Sequence, residues 1–264
     1  MKLLTLTDLH RGFSHRTAQL QDKFFNRLDR SSFDAILLCG DNGTTKIKNI
    51  ESLFKCLRRH FPDILILTVW GNHDLWDKEN KKVIDKLNKI NELAKKYNIH
   101  SLENNPKLVD DKYLFLGFNG WYHHDHHNTK DLEYIGSTVE TGQSTDNYLR
   151  NLADKAVNFI IDYPKDNKVV ISVTHFPCIN EAMTAPPDDN FIIQTEDHSK
   201  WNGNPMHGEI LLEFSDFIFF GHTHHSFDKL IGKSRVINVG NGYTFGNNYK
   251  MKYMIVDLSK PHNI

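Results

Sequence analysis

The chain has 264 residues, 39% of them hydrophobic and 25% charged, which is enough to bury a full α/β core. Its 32 basic residues almost balance its 33 acidic residues, so no overall charge draws the protein to nucleic acid or to an anionic membrane. The three cysteines, Cys39, Cys56 and Cys178, exclude a disulfide framework and a Cys-x-x-Cys metal site, and they suit a reducing compartment.

The N-terminal stretch 1–6 is mostly apolar, but the polar residues Asp8 and His10 follow it closely. This is too short for the ~7–15-residue apolar core of a signal peptide. No other run reaches the ~20 apolar residues of a membrane span. We therefore expect a cytoplasmic protein without a membrane segment, formed by a single domain over residues 1–264.

The first predicted strand covers residues 2–7, and Asp8 and His10 come directly after it. In extended backbone, residues two apart point to the same side, so both side chains can reach one ion. Taken alone, this tripeptide is better explained by an aspartate helix cap beside a surface histidine. A helix is predicted at residues 17–30 from the spacing of its apolar residues.

Polar residues also follow the second and third predicted strands, at residues 34–39 and 64–70. Asp41 lies between Gly40 and Gly43, where open α/β sheets build their sites. The third strand leads into Gly71-Asn72-His73-Asp74. An amide, an imidazole and a carboxylate in succession can supply a metal ligand, a proton donor and the group that orients it. Helices are predicted at residues 47–59 and 75–97. The second of these helices is rich in lysine, but acidic residues lie among the lysines, which favours a solvent-exposed face over a nucleic-acid surface.

A long polar connection at residues 121–144 follows predicted strands at 99–102 and 113–118. We interpret it as a loop at the mouth of a site, with Trp121 and Tyr122 as substrate contacts. The histidine-rich segment 123–127 is an alternative metal site of its own, although no strand or helix is predicted to hold its side chains in place.

The C-terminal half repeats the pattern of ligand-type residues after strands. His175 follows the strand predicted at 168–174, and His222 and His224 follow the strand at 216–220. Helices are predicted at 147–161 and 209–214, and the last strands at 235–239 and 252–258. The irregular stretch 178–206 is interpreted as a functional lid or specificity wall, with disorder as the competing reading.

Together, these turns carry seven candidate metal ligands: Asp8, His10, Asp41, Asn72, His175, His222 and His224. Imidazole, carboxylate and amide ligands without thiolate suit manganese, iron or zinc. Seven ligands exceed what one open catalytic site uses, so two divalent metal ions are expected, with Asp41 able to bridge them.

The same residues resemble the five sequence blocks of the calcineurin-like metallophosphoesterase superfamily. The resemblance implies an α/β fold, a four-layer α/β/β/α sandwich of two mixed sheets flanked by helices. It also implies a ligand set for each metal, a catalytic imidazole at His73, and Asp74 as the residue that orients this imidazole. The first metal would be held by Asp8, His10, Asp41 and His224, and the second by Asp41, Asn72, His175 and His222.

The function that the resemblance implies is metal-dependent hydrolysis of a phosphoester. Protein Ser/Thr phosphatases are less similar, because Asn42-Gly43 follows Asp41 without their Asp-Arg-Gly element, and Asp74 replaces their glutamate. We expect a phosphodiesterase acting on a nucleotide or another small phosphoester. A DNA or RNA nuclease, a phosphomonoesterase and a non-catalytic binding scaffold are the alternatives. Arg11 is either a phosphate contact or a surface residue.

Overall fold

The computed structural model describes residues 1–77, 82–121, 129–135, 144–183, 203–241 and 251–260. One sheet has five strands. Four of them are parallel to one another, and the last of the described strands pairs antiparallel with the first at the edge. In spatial order these strands are β11 (Met254–Asp257), β1 (Lys2–Leu6), β2 (Ala35–Cys39), β3 (Leu65–Val69) and β4 (His100–Ser101).

The other sheet has six strands and is also mixed. Its four central strands are parallel, and each edge strand pairs antiparallel with its neighbour. In spatial order the strands are β5 (Lys107–Val109), β6 (Tyr113–Phe118), β7 (Val169–Thr174), β8 (Phe217–Phe219), β10 (Ser234–Asn238) and β9 (Phe227–Ile231).

Helices of very different lengths connect the strands. In chain order, the described α-helices are α1 (His15–Arg27), α2 (Ile47–His60), α3 (Asn72–Leu75), α4 (Val83–Lys96), α5 (Thr129–Ile135), α6 (Thr145–Asp162), α7 (Asn180–Met183) and α8 (Gly208–Phe214). None of the helices in the described part of the chain has the length and apolar character needed to cross a membrane.

The alternation of side chains along the strands creates the layers. In β2, Ala35, Leu37 and Cys39 belong to the core between the two sheets, whereas Ile36 and Leu38 pack against α1, α2 and α4. In the second sheet, β7 and β8 likewise contribute residues to the central core and, from their other face, to the core beneath α6 and α8. The predicted four-layer α/β/β/α sandwich is confirmed.

The predicted elements differ from the observed ones in several places, including α7, which lies in the stretch predicted to be irregular. The helix predicted at 75–97 is wrong at its start, because α3 ends at Leu75 and α4 begins only at Val83. Strands β5 and β9 and helix α5 were not predicted. β5 has only three residues, all partly exposed, and β9 alternates poorly, so neither gives a clear pattern.

The parallel arrangement places the functional turns together. All the candidate ligands lie in turns at the carboxyl ends of strands. These strands are β1, β2 and β3 in one sheet and β7 and β8 in the other. Backbone hydrogen bonds join neighbouring turns within each sheet, including one from Gly221 N to His175 O (2.9 Å) and one from His10 N to Asp41 O (2.8 Å). The side chain of His175 reaches from one sheet to the other, where its Nδ1 lies 2.9 Å from Cys39 O.

Candidate metal centre

The turns at the strand ends are packed too closely for side chains at two of their glycines. A Cβ atom at Gly71 would overlap the backbone and carboxylate of Asp41. A Cβ atom at Gly221 would overlap Thr7 and approach Asp8 Oδ2 to 3.0 Å. Glycine is therefore required at both positions, because the candidate ligands lie directly against the neighbouring backbone.

Five candidate ligands have a left-handed backbone, which was not expected from the sequence. The φ angles are 50° at Asp8, 43° at His10, 51° at Asp41, 66° at His222 and 59° at His224. The prediction that Asp8 and His10 converge because their backbone is extended was therefore wrong in its reason, although the side chains do converge. Such conformations cost about 1–3 kcal/mol each and are concentrated at functional sites.

One group of side chains lies beside β1 and β8. His10 Nε2 is 3.1 Å from His224 Nε2, and His224 Nε2 is 3.5 Å from Asp8 Oδ1. Asp41 Oδ2 is 3.6 Å from His10 Nε2. These are the four residues predicted from the resemblance to share the first metal.

A second group lies beside β3 and β7. Asp41 Oδ1 is 3.4 Å from His175 Nε2, and His175 Nε2 is 3.1 Å from Asn72 Oδ1. The ring of His222 is 5.2 Å from that of His175, centroid to centroid. The two oxygens of Asp41 therefore face different groups of ligands, an arrangement that would allow this carboxylate to bridge two ions.

The donor set suits cations. Three sets of side chains each have ligand atoms within 4.8 Å of one another. These sets are Asp8, His10 and His224; Asp8, Asp41 and His175; and His10, Asp41 and His73. The ion-pair partners of Asp8 and Asp41 in the described part of the chain are all histidines. Two buried carboxylates among imidazoles leave negative charge that divalent ions can neutralise.

The electrostatics keep the imidazoles in the form that binds metals. Burial lowers the pKa of His10 and His222 well below the usual value, and neighbouring histidines add to this effect. Burial also lowers the pKa of His175. A neutral imidazole retains the lone pair that a metal ligand needs.

The two carboxylates differ from each other. Burial and the nearby Asp8 raise the pKa of Asp41 well above its usual value. Burial would also raise the pKa of Asp8, but His224 and His175 outweigh this effect and hold it below the usual value. Positive charge in the site would favour the ionised form of both.

Neighbouring groups orient the candidate ligands. His175 Nδ1 lies 2.9 Å from the carbonyl oxygen of Cys39, which directs Nε2 towards Asp41. Thr7 Oγ1 donates to Asp8 Oδ2, and the backbone N–H of His222 donates to Asp8 Oδ1 (3.0 Å). The side chains are thus held in place before any ion binds.

His73 lies at the edge of the cluster and remains partly accessible. Its Nε2 is 3.9 Å from Asp41 Oδ2, and its side chain is 11% exposed. The ring lies against Trp76 (centroids 3.7 Å apart, planes at 30°) and meets His10 edge-on at 4.6 Å. Burial, followed by His175, lowers the pKa of His73 to about 3.

Asp74 has a different role from the one predicted. Its carboxylate accepts hydrogen bonds from the backbone N–H groups of Asn42, Gly43 and Gly71 and from the Asn42 side chain, at 2.8–3.1 Å. Burial raises its pKa to about 6, although these donors oppose the rise. Asp74 therefore joins the turns after β2 and β3, and the expectation that it orients His73 is wrong because its oxygens face those turns.

Arg11 is neither a phosphate contact nor a surface residue. It is 5% exposed, and its guanidinium donates to Asp22 Oδ1 (2.7 Å), Ser52 Oγ (3.1 Å) and the carbonyl oxygen of Ala18 (3.2 Å). These bonds engage the guanidinium between α1 and α2.

Trp121 is not placed to contact a substrate either. It is 1% exposed, and its ring packs against Phe176 at 5.5 Å. Its indole is therefore part of the core, because the end of β6 turns it inward. Tyr122, the segment 123–127 and most of the stretch 178–206 lie outside the described residues.

Two residues beside the site were missed from the sequence. Trp76 lies against His73, and Asp131 accepts hydrogen bonds from both Asn72 and Trp76. Trp76 follows the turn that contains Asn72 and His73, and its large apolar side chain is typical of a core residue. Asp131 lies in the connection interpreted as a loop, so no sequence pattern linked it to the strand ends.

A family model for calcineurin-like phosphoesterases matches residues 1–226. The chain belongs to this family. The match covers all five turns, and the resemblance inferred from their residues is confirmed. No match was found among curated protein sequences.

Solved structures of several phosphoesterases are similar to this family member. Phosphopantetheinyl hydrolase (PptH) from Mycobacterium tuberculosis is 16% identical, with 92% of this chain and 89% of that chain covered and a TM-score of 0.70. A dimetal phosphatase from Danio rerio is 11% identical, with 97% and 91% covered and a TM-score of 0.58.

A putative 5'-nucleotidase from Staphylococcus aureus is 13% identical, with 91% of this chain covered and a TM-score of 0.53. This chain spans 48% of that longer protein. At these identities the likeness establishes the fold alone, and the activities named for these proteins differ from one another.

Proposed function

We propose that this phosphoesterase family member is a dinuclear-metal phosphodiesterase that hydrolyses a nucleotide or another small phosphodiester. The observation that carries the proposal is the position of Asp41. Its Oδ1 faces His175 at 3.4 Å and its Oδ2 faces His10 at 3.6 Å, so one carboxylate serves two groups of ligands. When bound, a pair of divalent ions supplies an activated water and positive charge opposite the phosphoryl oxygens.

The ligand assignment follows the two groups of side chains. The first metal would be held by Asp8, His10, Asp41 and His224, and the second by Asp41, Asn72, His175 and His222. Nitrogen and oxygen ligands without thiolate favour manganese, iron or zinc. The three cysteines are free and buried, which supports a reducing compartment such as the cytoplasm.

His73 is the proposed proton donor to the leaving oxygen. Its Nε2 edge faces Asp41, and its ring is held between Trp76 and His10. A neutral imidazole still carries one N–H, so protonation of a departing alkoxide does not require an imidazolium.

The surroundings of His73 support an organic leaving group. The rings of Trp76 and Tyr134 lie 4.6 Å apart, both partly exposed, beside the candidate proton donor. Aromatic faces next to a proton donor can stack on a nucleobase or another planar group. This supports a diester with a planar organic group over a small alkyl phosphate.

The first experiment compares bis(p-nitrophenyl) phosphate with p-nitrophenyl phosphate in the presence of Mn²⁺ or Zn²⁺. Faster turnover of the diester supports the proposal. Faster turnover of the monoester identifies a phosphomonoesterase, and cleavage of DNA or RNA in preference to both identifies a nuclease. Absence of turnover with all of these substrates refutes the catalytic role and favours a binding scaffold.

The second experiment separates the roles of His73 and Asp41. The His73→Ala protein should retain both metals, and its kcat should fall by about 10²–10⁴-fold, because only a proton donor is removed. Asp41→Asn should lose metal, because the bridging charge is removed. Metal content per chain is measured for both variants, and kcat is measured with a phosphodiester whose leaving group is an alkoxide, since p-nitrophenolate departs without a proton. The exposed His15→Ala is the control. A His73→Ala protein without metal contradicts the assignment.

A further inference from the structure

Asp131 is a buried carboxylate that is bonded to the turn containing Asn72 and His73. It is 0% exposed and belongs to α5. Its Oδ1 accepts a hydrogen bond from Asn72 Nδ2 at 2.8 Å and one from Trp76 Nε1 at 2.6 Å. One oxygen atom therefore joins a candidate metal ligand to the indole that supports His73.

The first of these bonds selects the direction of the Asn72 amide. The two ends of an amide have nearly the same shape, but only the oxygen can bind a cation. An ionised carboxylate accepts hydrogen bonds and does not donate them, so it pairs with the NH₂ end. Asn72 Oδ1 then points away from Asp131 and lies 3.1 Å from His175 Nε2, within the second ligand group.

The second bond acts on the ring beside the proton donor. Trp76 lies against His73 with centroids 3.7 Å apart, and its N–H is directed to Asp131. The indole of Trp76 therefore supports one face of the His73 ring. Its orientation depends on the same carboxylate that orients Asn72.

The rest of α5 is anchored to the same place. The backbone N–H of Asp77 donates to the carbonyl oxygen of Tyr134 at 3.0 Å, and the rings of Trp76 and Tyr134 are 4.6 Å apart. Glu133, on the same helix, is exposed. The buried carboxylate of Asp131 is therefore distinguished from its helical neighbour by its contacts with the site.

We propose that Asp131 is a positioning residue for the metal centre. It directs the Asn72 oxygen into the second ligand group and, through Trp76, holds the plane of the His73 ring. This inference deepens the proposed function and rests on it for the identity of the bound ions.

The first test measures Mn²⁺ binding by calorimetry. Asp131→Leu removes the acceptor, so one of the two ions, the one held by the group that contains Asn72, should lose about 10–100-fold in affinity, which is typical when the partner of a metal ligand is removed. Glu133→Gln is the matched control on the same helix and should bind both ions as the wild type does. Unchanged affinity in a folded Asp131→Leu protein overturns the proposal.

The second test needs no metal and remains informative if Asp131→Leu does not fold. Asn72→Asp places two carboxylates against each other and should lower the melting temperature of the metal-free protein. Adding Asp131→Asn removes one of the two facing carboxylates and provides an NH₂ group for the carboxylate introduced at position 72. In the wild type, an asparagine oxygen at position 131 can still accept from Asn72 and Trp76. Asp131→Asn should therefore change the melting temperature of the wild type little but raise that of the Asn72→Asp protein.

The outcomes separate this inference from the proposed function. If Asp131→Asn changes the melting temperature equally in both backgrounds, the two side chains are not coupled and the role of Asp131 is refuted. If the wild-type protein binds no Mn²⁺, Zn²⁺ or iron, the metal centre itself is refuted, whatever the melting temperatures show.

Discussion

Glu103 provides a quantitative test of the energetic cost of burying a carboxylate in this fold. Its Oε1 accepts a long hydrogen bond from the backbone N–H of Asn119 (3.4 Å), and its buried Oε2 has no hydrogen-bond partner among the described residues. Burial raises its pKa from 4.5 to about 7. The folded protein therefore retains this proton at pH values where the unfolded chain has lost it.

The sign and size of the effect follow from the shift. Because the folded state binds more protons between the two pKa values, the free energy of unfolding falls as the pH rises from about 4.5 through about 7. A shift of this size corresponds to at most about 3 kcal/mol at full ionisation. Glu103→Gln removes the charge and keeps the shape, so it should abolish this loss.

Urea denaturation at pH 5 and pH 8 measures the effect. The Glu103→Gln protein should become more stable relative to the wild type by about 2–3 kcal/mol between these pH values. The exposed Glu92→Gln should leave the pH dependence unchanged. If the Glu103→Gln and wild-type stabilities differ by the same amount at both pH values, the carboxylate does not carry the burial cost.

Two further substitutions test the packing of the turns. Gly71→Ala should lower metal content and turnover, because the added Cβ overlaps Asp41. Gly232→Ala, where an added Cβ meets no atom within 4 Å, should bind metal normally, as measured by metal analysis. Asp74→Asn should lower the free energy of unfolding by about 1–3 kcal/mol, because its amide NH₂ would face N–H donors. Urea denaturation measures this change, and unchanged stability would contradict the role of Asp74 as a link between turns.

Much of the fold could be predicted because the local sequence pattern indicates where strands and turns lie. The strands alternate between two buried faces, so their apolar runs were recognisable, and glycine with polar residues after each run located the turns. The helix predicted at 75–97 was wrong only at its start, where the backbone N–H of Asp77 donates to Tyr134 of α5. This is a contact between distant segments, which a helical pattern does not contain.

The sequence by itself determined which residues gather at the strand ends, because parallel strands bring their carboxyl ends to one edge. It also determined the chemistry of the ligand set, since residue types decide which ions are preferred.

Only the tertiary structure decided how the polar side chains pair. Asp74 bonds to the turn after β2, Arg11 to Asp22, and Asp131 to Asn72 across 59 positions of the chain. A buried polar group takes the partner that packing places opposite it, and that partner is set by how the layers meet rather than by the neighbouring residues.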